Sequence, residues 1–446
     1  MTKKTCPYIP HTDQDIEEML KVIGVDSVDE LYSEIPEELK LNRELHIPEA
    51  KSEMEVRAII ESLGASNKQL ISFAGAGAYD HYTPAVIPYI TSRSEFSTSY
   101  TPYQAEISQG TLQYIFEYQT MMADLTGMDL SNASMYDGST ATAEAMLMCV
   151  AAAKKRTRVA ISKTFNPTVL RVVRTYAKFH GVELVEVPAK DGTTDREALS
   201  TLIAQGDLAG VLVAQPNYYG ILEDFTGLAE ECHAKKTLLA INSVASTLGV
   251  LRSPGEWGAD IACGDAQSLG LPLNFGGPYI GYLCTKMSLV RKMPGRLVGE
   301  TIDTQGQRAF VLTMQAREQH IRREKATSNI CTAQGFMCLY VAIYLSLMGA
   351  DGLKEVNEIS YAGAHKLKDA LMATGLFEEV FPAANFLNEF ALKYKGSLTT
   401  GELRKQLAEK GFLAGVEAEG MENVLIFTVT EQRTAQQLNE FVKLMN

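Results

Sequence analysis

The segment Ser134–Ala145 combines a glycine turn, two hydroxyl side chains and the predicted start of a helix. Gly138 permits a tight backbone turn, and the hydroxyl groups of Ser139 and Thr140 are able to donate hydrogen bonds to an anion. The first turn of a helix adds free backbone N–H groups and a partial positive charge. This segment therefore has the chemistry of a phosphate cradle, although the capping of an ordinary helix start accounts for it equally well.

A second stretch, residues 259–278, has the pattern of a short strand followed by a loop rich in glycine and proline. In a chain of alternating strands and helices, this position is typical of the lysine that holds pyridoxal phosphate (PLP) as a Schiff base. Ser268 stands where that lysine is expected, and a hydroxyl group cannot form an imine. The chain has no lysine at all between Lys236 and Lys286. The stretch thus lacks the group that would anchor the cofactor covalently.

A third candidate lies at the end of the apolar run Leu238–Ala245. In many PLP enzymes an aspartate at such a strand end pairs with the pyridinium nitrogen and makes the ring an electron sink. Asn242 occupies that position here and carries no charge, so it cannot hold the pyridinium proton by an ion pair. The better interpretation of Asn242 is a strand-end amide that satisfies neighbouring polar groups.

Two loops, residues 75–84 and 95–110, are unusually rich in glycine, tyrosine and hydroxyl groups. Loops of this composition commonly bind small polar ligands or another chain. We name four of their side chains as candidates for a pocket or an interface: His81, Tyr100, Tyr103 and Glu106. The histidine has the chemistry of a general acid or base, but a loop histidine beside a tyrosine is more often simply hydrogen-bonded.

Composition and charge exclude several classes of function. The chain has 446 residues, of which 46% are hydrophobic and 21% are charged, and its net charge of −13 argues against nucleic acid and anionic membranes as partners. Its seven cysteines form no CxxC pair, and no zinc-binding, HExxH or phosphate-loop motif occurs, so we expect no metal site and a reducing, cytoplasmic compartment. No apolar run reaches the roughly 20 residues of a membrane helix, and no signal core follows the N-terminus.

The order of predicted elements indicates an α/β fold with three parts. Residues 1–70 have the pattern of a helical N-terminal arm. In residues 71–330, short β-rich runs alternate with helices, which predicts a mainly parallel sheet covered on both faces. Residues 331–446 mix long helices with a few strands and predict a small α+β domain, with no flexible linker before it.

Several exact motif strings resemble one family closely. Their match runs nearly from end to end of the chain with subunit 1 (alpha) of the two-subunit glycine dehydrogenase (decarboxylating), the P-protein of the glycine cleavage system. The strings that carry the resemblance are Phe73–Tyr82, Tyr100–Gly110, Tyr136–Ala141, Gln215–Gly220, Gly276–Tyr279 and Arg323–Cys331.

The resemblance implies a fold-type I PLP-dependent transferase architecture and an α2β2 heterotetramer. In that family PLP is bound by a lysine of the partner, glycine dehydrogenase subunit 2 (beta), and subunit 1 is a paralogue with a degenerate site that completes the pocket. The implied reaction decarboxylates glycine and passes the aminomethyl group to the lipoyl arm of H-protein. The absence of a lysine at Ser268 and of an aspartate at Asn242 agrees with this expectation.

Two other functions remain open from the sequence. One is an autonomous PLP decarboxylase or aminotransferase that uses a lysine elsewhere. The other is a non-catalytic scaffold or regulatory paralogue that acts on a partner.

Overall fold

The chain divides into two units, residues 1–68 and residues 69–446. In this computed structural model the described residues are 8, 10–41, 43–274, 276–382 and 384–445, with only the backbone described at residue 317. The helices are α1 (Asp13–Ile23), α2 (Glu53–Gly64), α3 (Val86–Thr91), α4 (Ser94–Ser97), α5 (Gln109–Thr126), α6 (Gly138–Ala152), α7 (Pro167–His180), α8 (Arg196–Ala204), α9 (Leu228–Ala234), α10 (Gln319–Arg322), α11 (Gly335–Ala373), α12 (Thr400–Glu409) and α13 (Ala435–Lys443). The strands are β1 (Ile71–Ser72), β2 (Leu130–Ser131), β3 (Arg158–Ser162), β4 (Glu183–Val187), β5 (Ala189–Lys190), β6 (Thr193–Thr194), β7 (Leu208–Ala214), β8 (Leu238–Val244), β9 (Ile261–Asp265), β10 (Gly281–Thr285), β11 (Leu297–Ile302), β12 (Arg308–Thr313), β13 (Phe377–Glu379), β14 (Glu389–Tyr394), β15 (Phe412–Leu413), β16 (Val416–Glu417) and β17 (Val424–Thr428).

The unit of residues 1–68 contains helices α1 and α2. Each begins with a capping box. The side chain of Thr12 or Ser52 accepts from the backbone N–H three residues later, and the carboxylate of that later residue, Asp15 or Glu55, accepts from the backbone N–H of Thr12 or Ser52. Many of the apolar side chains of these two helices are exposed. That they pack on another surface, as a helical arm would, stays a prediction.

A seven-stranded sheet is the centre of the unit of residues 69–446. Its strand order is β2-β10-β9-β8-β7-β3-β4. The five strands from β9 to β4 are parallel, and β10 runs antiparallel to both of its neighbours. All seven residues of β7 are buried, because helices and their connections cover both faces of the sheet. The predicted mainly parallel sheet is therefore confirmed.

A smaller antiparallel sheet, in the order β13-β14-β17-β16, lies in the C-terminal third of the chain. Strand β1 pairs with β15, and Phe73 joins the apolar cluster of this sheet, which is filled mainly by aromatic and leucine side chains. Residues 71–73 therefore pack with the C-terminal sheet although they precede the large sheet in sequence. The boundary of the two domains near residue 331 stays a prediction.

Helix α11 is long and apolar enough to cross a membrane by length and composition, with a mean hydropathy of 1.6 over its best window. The sequence expectation that no such run exists was too strict. The helix is interrupted at Gly349, which has φ +59° and ψ −170°. The part before this break spans only about 21 Å at 1.5 Å per residue, short of a bilayer core of about 30 Å. Several of its side chains, including Cys338, Val341 and Tyr344, are buried in the main core.

Candidate functional site

A cavity of about 300 Å³ opens at the carboxyl ends of the parallel strands. In open α/β sheets this edge is the usual place for a ligand, since the strands end there and the following loops diverge. We call it the sheet-edge cavity. It is lined by residues 75–79 and 137–139, by 165–166 and 168–169 around the start of α7, by 214 and 216–218, by 242–244, and by Asp265, Tyr279 and Glu389.

The N-terminus of α6 faces this cavity, as the predicted phosphate cradle requires. The carboxylate of Asp137 caps the helix and accepts from the backbone N–H of Thr140 at 2.9 Å. The hydroxyl of Thr140 is used in the same cap, because it accepts from the backbone N–H of Asp137 at 3.2 Å. Gly138 and Ser139 line the cavity. The three predicted residues are therefore together, but helix capping already occupies part of the cradle.

Asp265, at the end of β9, occupies more of the cradle. Its Oδ2 accepts from the backbone N–H of Gly138 at 3.1 Å, and its Oδ1 accepts from the backbone N–H of Gln267 at 2.7 Å. Burial raises the pKa of this carboxyl to about 7, and the negative charge of Asp137 adds to the shift. Only glycine fits at 138, since a Cβ there would lie 2.9 Å from both the Cβ and the backbone nitrogen of Asp265. The helix N-terminus thus receives its anion from the chain itself.

The strand-end amide also lines the cavity. Asn242 lies near the end of β8, and its Nδ2 donates to the hydroxyl of Thr142 on α6 at 2.8 Å. A neutral amide used in this way offers no anionic partner to a pyridinium nitrogen. This contact agrees with the interpretation of Asn242 as an amide that satisfies neighbouring polar groups.

Ser268 does not line the cavity. It is buried, and its hydroxyl accepts a long hydrogen bond of 3.3 Å from the backbone N–H of Ser246. The preceding residue, Gln267, hydrogen-bonds both to the backbone N–H and to the carbonyl of Tyr79, which lines the cavity, at 2.8 and 2.9 Å. Among the described residues that line the cavity there is no lysine.

A third carboxyl group, that of Glu389, also lines the cavity. Glu389 is buried, and it accepts from the backbone N–H of Ala76 at 2.5 Å and from the hydroxyl groups of Thr428 and Tyr79 at 2.9 and 3.0 Å. Burial raises the pKa of Glu389 although these hydrogen bonds lower it in part. Gly75 is required beside it, because a Cβ at that position would collide with the side chains of both Thr428 and Glu389.

The residues of the cavity do not fit PLP. The cradle amide of Gly138 is already paired with a carboxyl group, and the described lining residues include three carboxyl groups and no lysine that could form an imine. A phosphate dianion placed here would meet carboxyl groups where it needs hydrogen-bond donors. Sequence reasoning did not find Asp265 or Glu389, since the contacts of these residues join segments far apart in the chain.

The four loop candidates do not converge on one site. His81 is buried outside the cavity, and its Nδ1 lies 2.6 Å from a carboxylate oxygen of Glu431. Tyr100 is 79% exposed, and Glu106 is exposed without a hydrogen bond to any described residue. The hydroxyl of Tyr103 accepts from the guanidinium of Arg296 at 2.9 Å.

Tyr100 and Arg296 line a second pocket, of about 200 Å³, which we call the Arg296 pocket. Its other walls come from residues 99, 101–102, 111, 114–115, 133, 298, 312 and 332–336. The sequence pattern gave no signal for Arg296, because it stands in an ordinary strand start.

The sheet order and the cavity at the carboxyl ends of its strands together define a fold-type I PLP-dependent transferase fold. Solved structures with low sequence identity show the same fold. A glutamate decarboxylase of Lactobacillus brevis superposes with a TM-score of 0.70 at 13% identity, over 92% of this chain and 95% of the other. An alanine–glyoxylate aminotransferase of Nostoc sp. superposes with a TM-score of 0.62, also at 13% identity, over 85% and 96%.

The chain belongs to the glycine cleavage system P-protein family, whose model matches residues 6–445. It is 47% identical to the probable glycine dehydrogenase (decarboxylating) subunit 1 of Moorella thermoacetica and 44% identical to that of Nitrosomonas europaea, over 98% of each chain in both cases. It is 40% identical to a glycine decarboxylase (P-protein) of the glycine cleavage system solved in inhibitor-bound form, with a TM-score of 0.91 over 99% of each chain.

Proposed function

We propose that this chain is subunit 1 of a two-subunit glycine dehydrogenase (decarboxylating) and works with a second subunit that holds PLP. The observation that carries this proposal is the sheet-edge cavity, in which Asp265 accepts from the N–H of Gly138 at the helix N-terminus and none of the described lining residues is a lysine. A fold of PLP enzymes that cannot hold PLP needs a partner that does. Subunit 2 in an α2β2 assembly is that partner.

In this assembly glycine loses CO₂ and its aminomethyl group passes to the oxidised lipoyl arm of H-protein. PLP on the partner supplies the electron sink for the decarboxylation. This chain supplies surface and pocket walls. The loop of residues 95–110 is suited to that role because Tyr100, Tyr103 and Ile107 are exposed there together. Tyrosine is favoured where a surface must be apolar and still form hydrogen bonds.

Co-purification with subunit 2, followed by assays of glycine decarboxylation, tests the proposal. We expect no activity from either subunit alone and full activity from the mixture, with H-protein present. Decarboxylation by this chain alone would contradict the proposal and support an autonomous enzyme. Full activity of subunit 2 without this chain would support a scaffold or regulatory role.

Trapping with borohydride tests the division of the cofactor between the subunits. The complex is incubated with PLP, reduced, digested and mapped. We expect the label on a lysine of subunit 2 and none in stoichiometric amount on this chain. Labelling of one specific lysine of this chain would show that the chain forms a Schiff base with PLP although Ser268 and Asn242 stand at the expected lysine and aspartate positions.

A further inference from the structure

The guanidinium of Arg296 is buried without full compensation of its charge. The residue is 6% exposed and stands between Gly295 and the start of β11. A charge taken out of water is normally paired and hydrogen-bonded on all its donors. A buried arginine with too few acceptors among the described residues therefore points to an acceptor from outside the described part of the chain.

Among the described residues, Arg296 has the phenol of Tyr103, whose ring centroid lies 5.2 Å from the guanidinium carbon, and the carboxylate of Glu318 as partners. One terminal nitrogen donates to the neutral hydroxyl of Tyr103 at 2.9 Å. The carboxylate of Glu318 is 3.8 Å from Nε, which is too far for a hydrogen bond. Nε itself is buried and makes no hydrogen bond to any of the described residues. The same carboxylate oxygen of Glu318 lies 3.6 Å from Nδ1 of His320, so it is not dedicated to the arginine.

The Arg296 pocket supplies space beside this cation. Among its described lining residues Arg296 is the only charged one, whereas the sheet-edge cavity has three carboxyl groups. Hydroxyl groups are frequent in the lining, and those of Thr111 and Thr332 have no hydrogen-bond partner among the described residues. Ile115, Leu312 and other apolar side chains complete the wall.

We propose that the Arg296 pocket is a binding site for a small oxyanion, carried by a carboxylate or by a phosphate monoester. Arginine recognises both groups with its planar fork of N–H donors, and hydroxyl groups add neutral donors around the remaining oxygens. An oxyanion there would give the buried guanidinium the acceptor it lacks. The site does not depend on the proposed glycine chemistry, because binding is measured on this chain alone.

The test is equilibrium binding of acetate and of inorganic phosphate to the isolated full chain, at constant ionic strength with chloride as the replaced ion. Isothermal titration gives the affinity, and a saturable rise in melting temperature gives an independent readout. The variants are Arg296→Met, which removes the charge, and Arg308→Met, which removes an exposed arginine of β12 as a matched control. We expect saturable binding by the wild type and by Arg308→Met, and binding at least about tenfold weaker in Arg296→Met.

Two further variants keep the test decisive if Arg296→Met does not fold. Arg296→Lys retains a cation but loses the fork, and Thr332→Val removes one lining hydroxyl. Each should weaken binding by a few-fold while circular dichroism stays that of the wild type. Binding of acetate alone identifies a carboxylate site, binding of phosphate alone identifies a phosphate site, and binding of both identifies a general oxyanion site. No saturable binding of either ion, or equal affinity in all folded variants, overturns the proposal.

Discussion

Replacing Asp265 by asparagine should change how the stability of this chain depends on pH. The carboxyl accepts hydrogen bonds from Gly138 and Gln267, and burial raises its pKa from the usual 3.8 to about 7. An acid whose pKa is raised on folding binds its proton more tightly in the folded state. The stability that this group contributes is therefore fully present below about pH 4 and is lost as the pH rises to about 7.

The size of the effect follows from the shift. About three pKa units at 1.36 kcal/mol each give about 4 kcal/mol, which is an upper limit because the carboxyl borders an open cavity that admits water. About 3 kcal/mol of this falls between about pH 5 and about pH 8. Asparagine does not titrate, but it retains only one acceptor oxygen for the two N–H groups of Gly138 and Gln267. The lost hydrogen bond costs about 1–3 kcal/mol at every pH.

Urea unfolding of the isolated chain at about pH 5 and about pH 8 measures the difference. The Asp265→Asn variant should be less stable than the wild type at the lower pH, and it should gain up to about 3 kcal/mol relative to the wild type at the higher pH. Asp191→Asn, the same substitution at an exposed position, should follow the wild type at both values. Parallel profiles of wild type and Asp265→Asn would refute the reasoning, because they would mean that Asp265 is ionised throughout.

Three further outcomes can be measured. Ser268→Lys should release no CO₂ from glycine without the partner subunit, since position 268 does not line the sheet-edge cavity; measurable release would contradict this. In the complex, Glu106→Gln should lower decarboxylation at least about tenfold, or about 1.4 kcal/mol, with an unchanged melting temperature. Tyr103→Phe should also lose stability, because Arg296 loses its hydrogen-bond acceptor. Full activity in both variants would show that the loop is not part of the site. Glu144→Gln should flatten the stability profile below about pH 7, because burial raises the pKa of Glu144 to about 7; an unchanged profile would speak against this.

The strands of the large sheet could be predicted from sequence because burial on both faces leaves short, continuous apolar runs. The runs at Val159, Gly210 and Leu238 all lie in strands of that sheet. The start of α6 at Gly138 was also predictable, because capping chemistry is local and is written in adjacent residues. A single sequence therefore predicts those helices and strands that depend on neighbouring residues or on a periodic apolar pattern.

The chemistry of the two cavities was less accessible to sequence reasoning, because it depends on contacts between distant segments. The N–H of Gly138 meets a carboxylate 127 residues away, and Tyr79 meets Glu389, 310 residues away. The pairing of Arg296 with Tyr103 spans 193 residues. No period or motif marks such partners. The missing lysine at Ser268 was visible in the sequence, but the group that fills the helix N-terminus in place of a phosphate was not.

In the proposed division of the cofactor between the subunits, Asp265 opposes PLP binding by this chain more than the missing lysine does. A lysine contributes a covalent bond, but the phosphate group of a cofactor is held without covalent bonds by free N–H groups at a helix N-terminus. Here one of those groups already donates to a carboxylate of the chain, and a second carboxylate, that of Asp137, caps the same turn. Above about pH 7, where Asp265 is ionised, an incoming phosphate would have to displace this carboxylate and approach two negative groups in a partly dehydrated cavity. A new lysine at position 268 would leave this obstacle at the start of α6 in place.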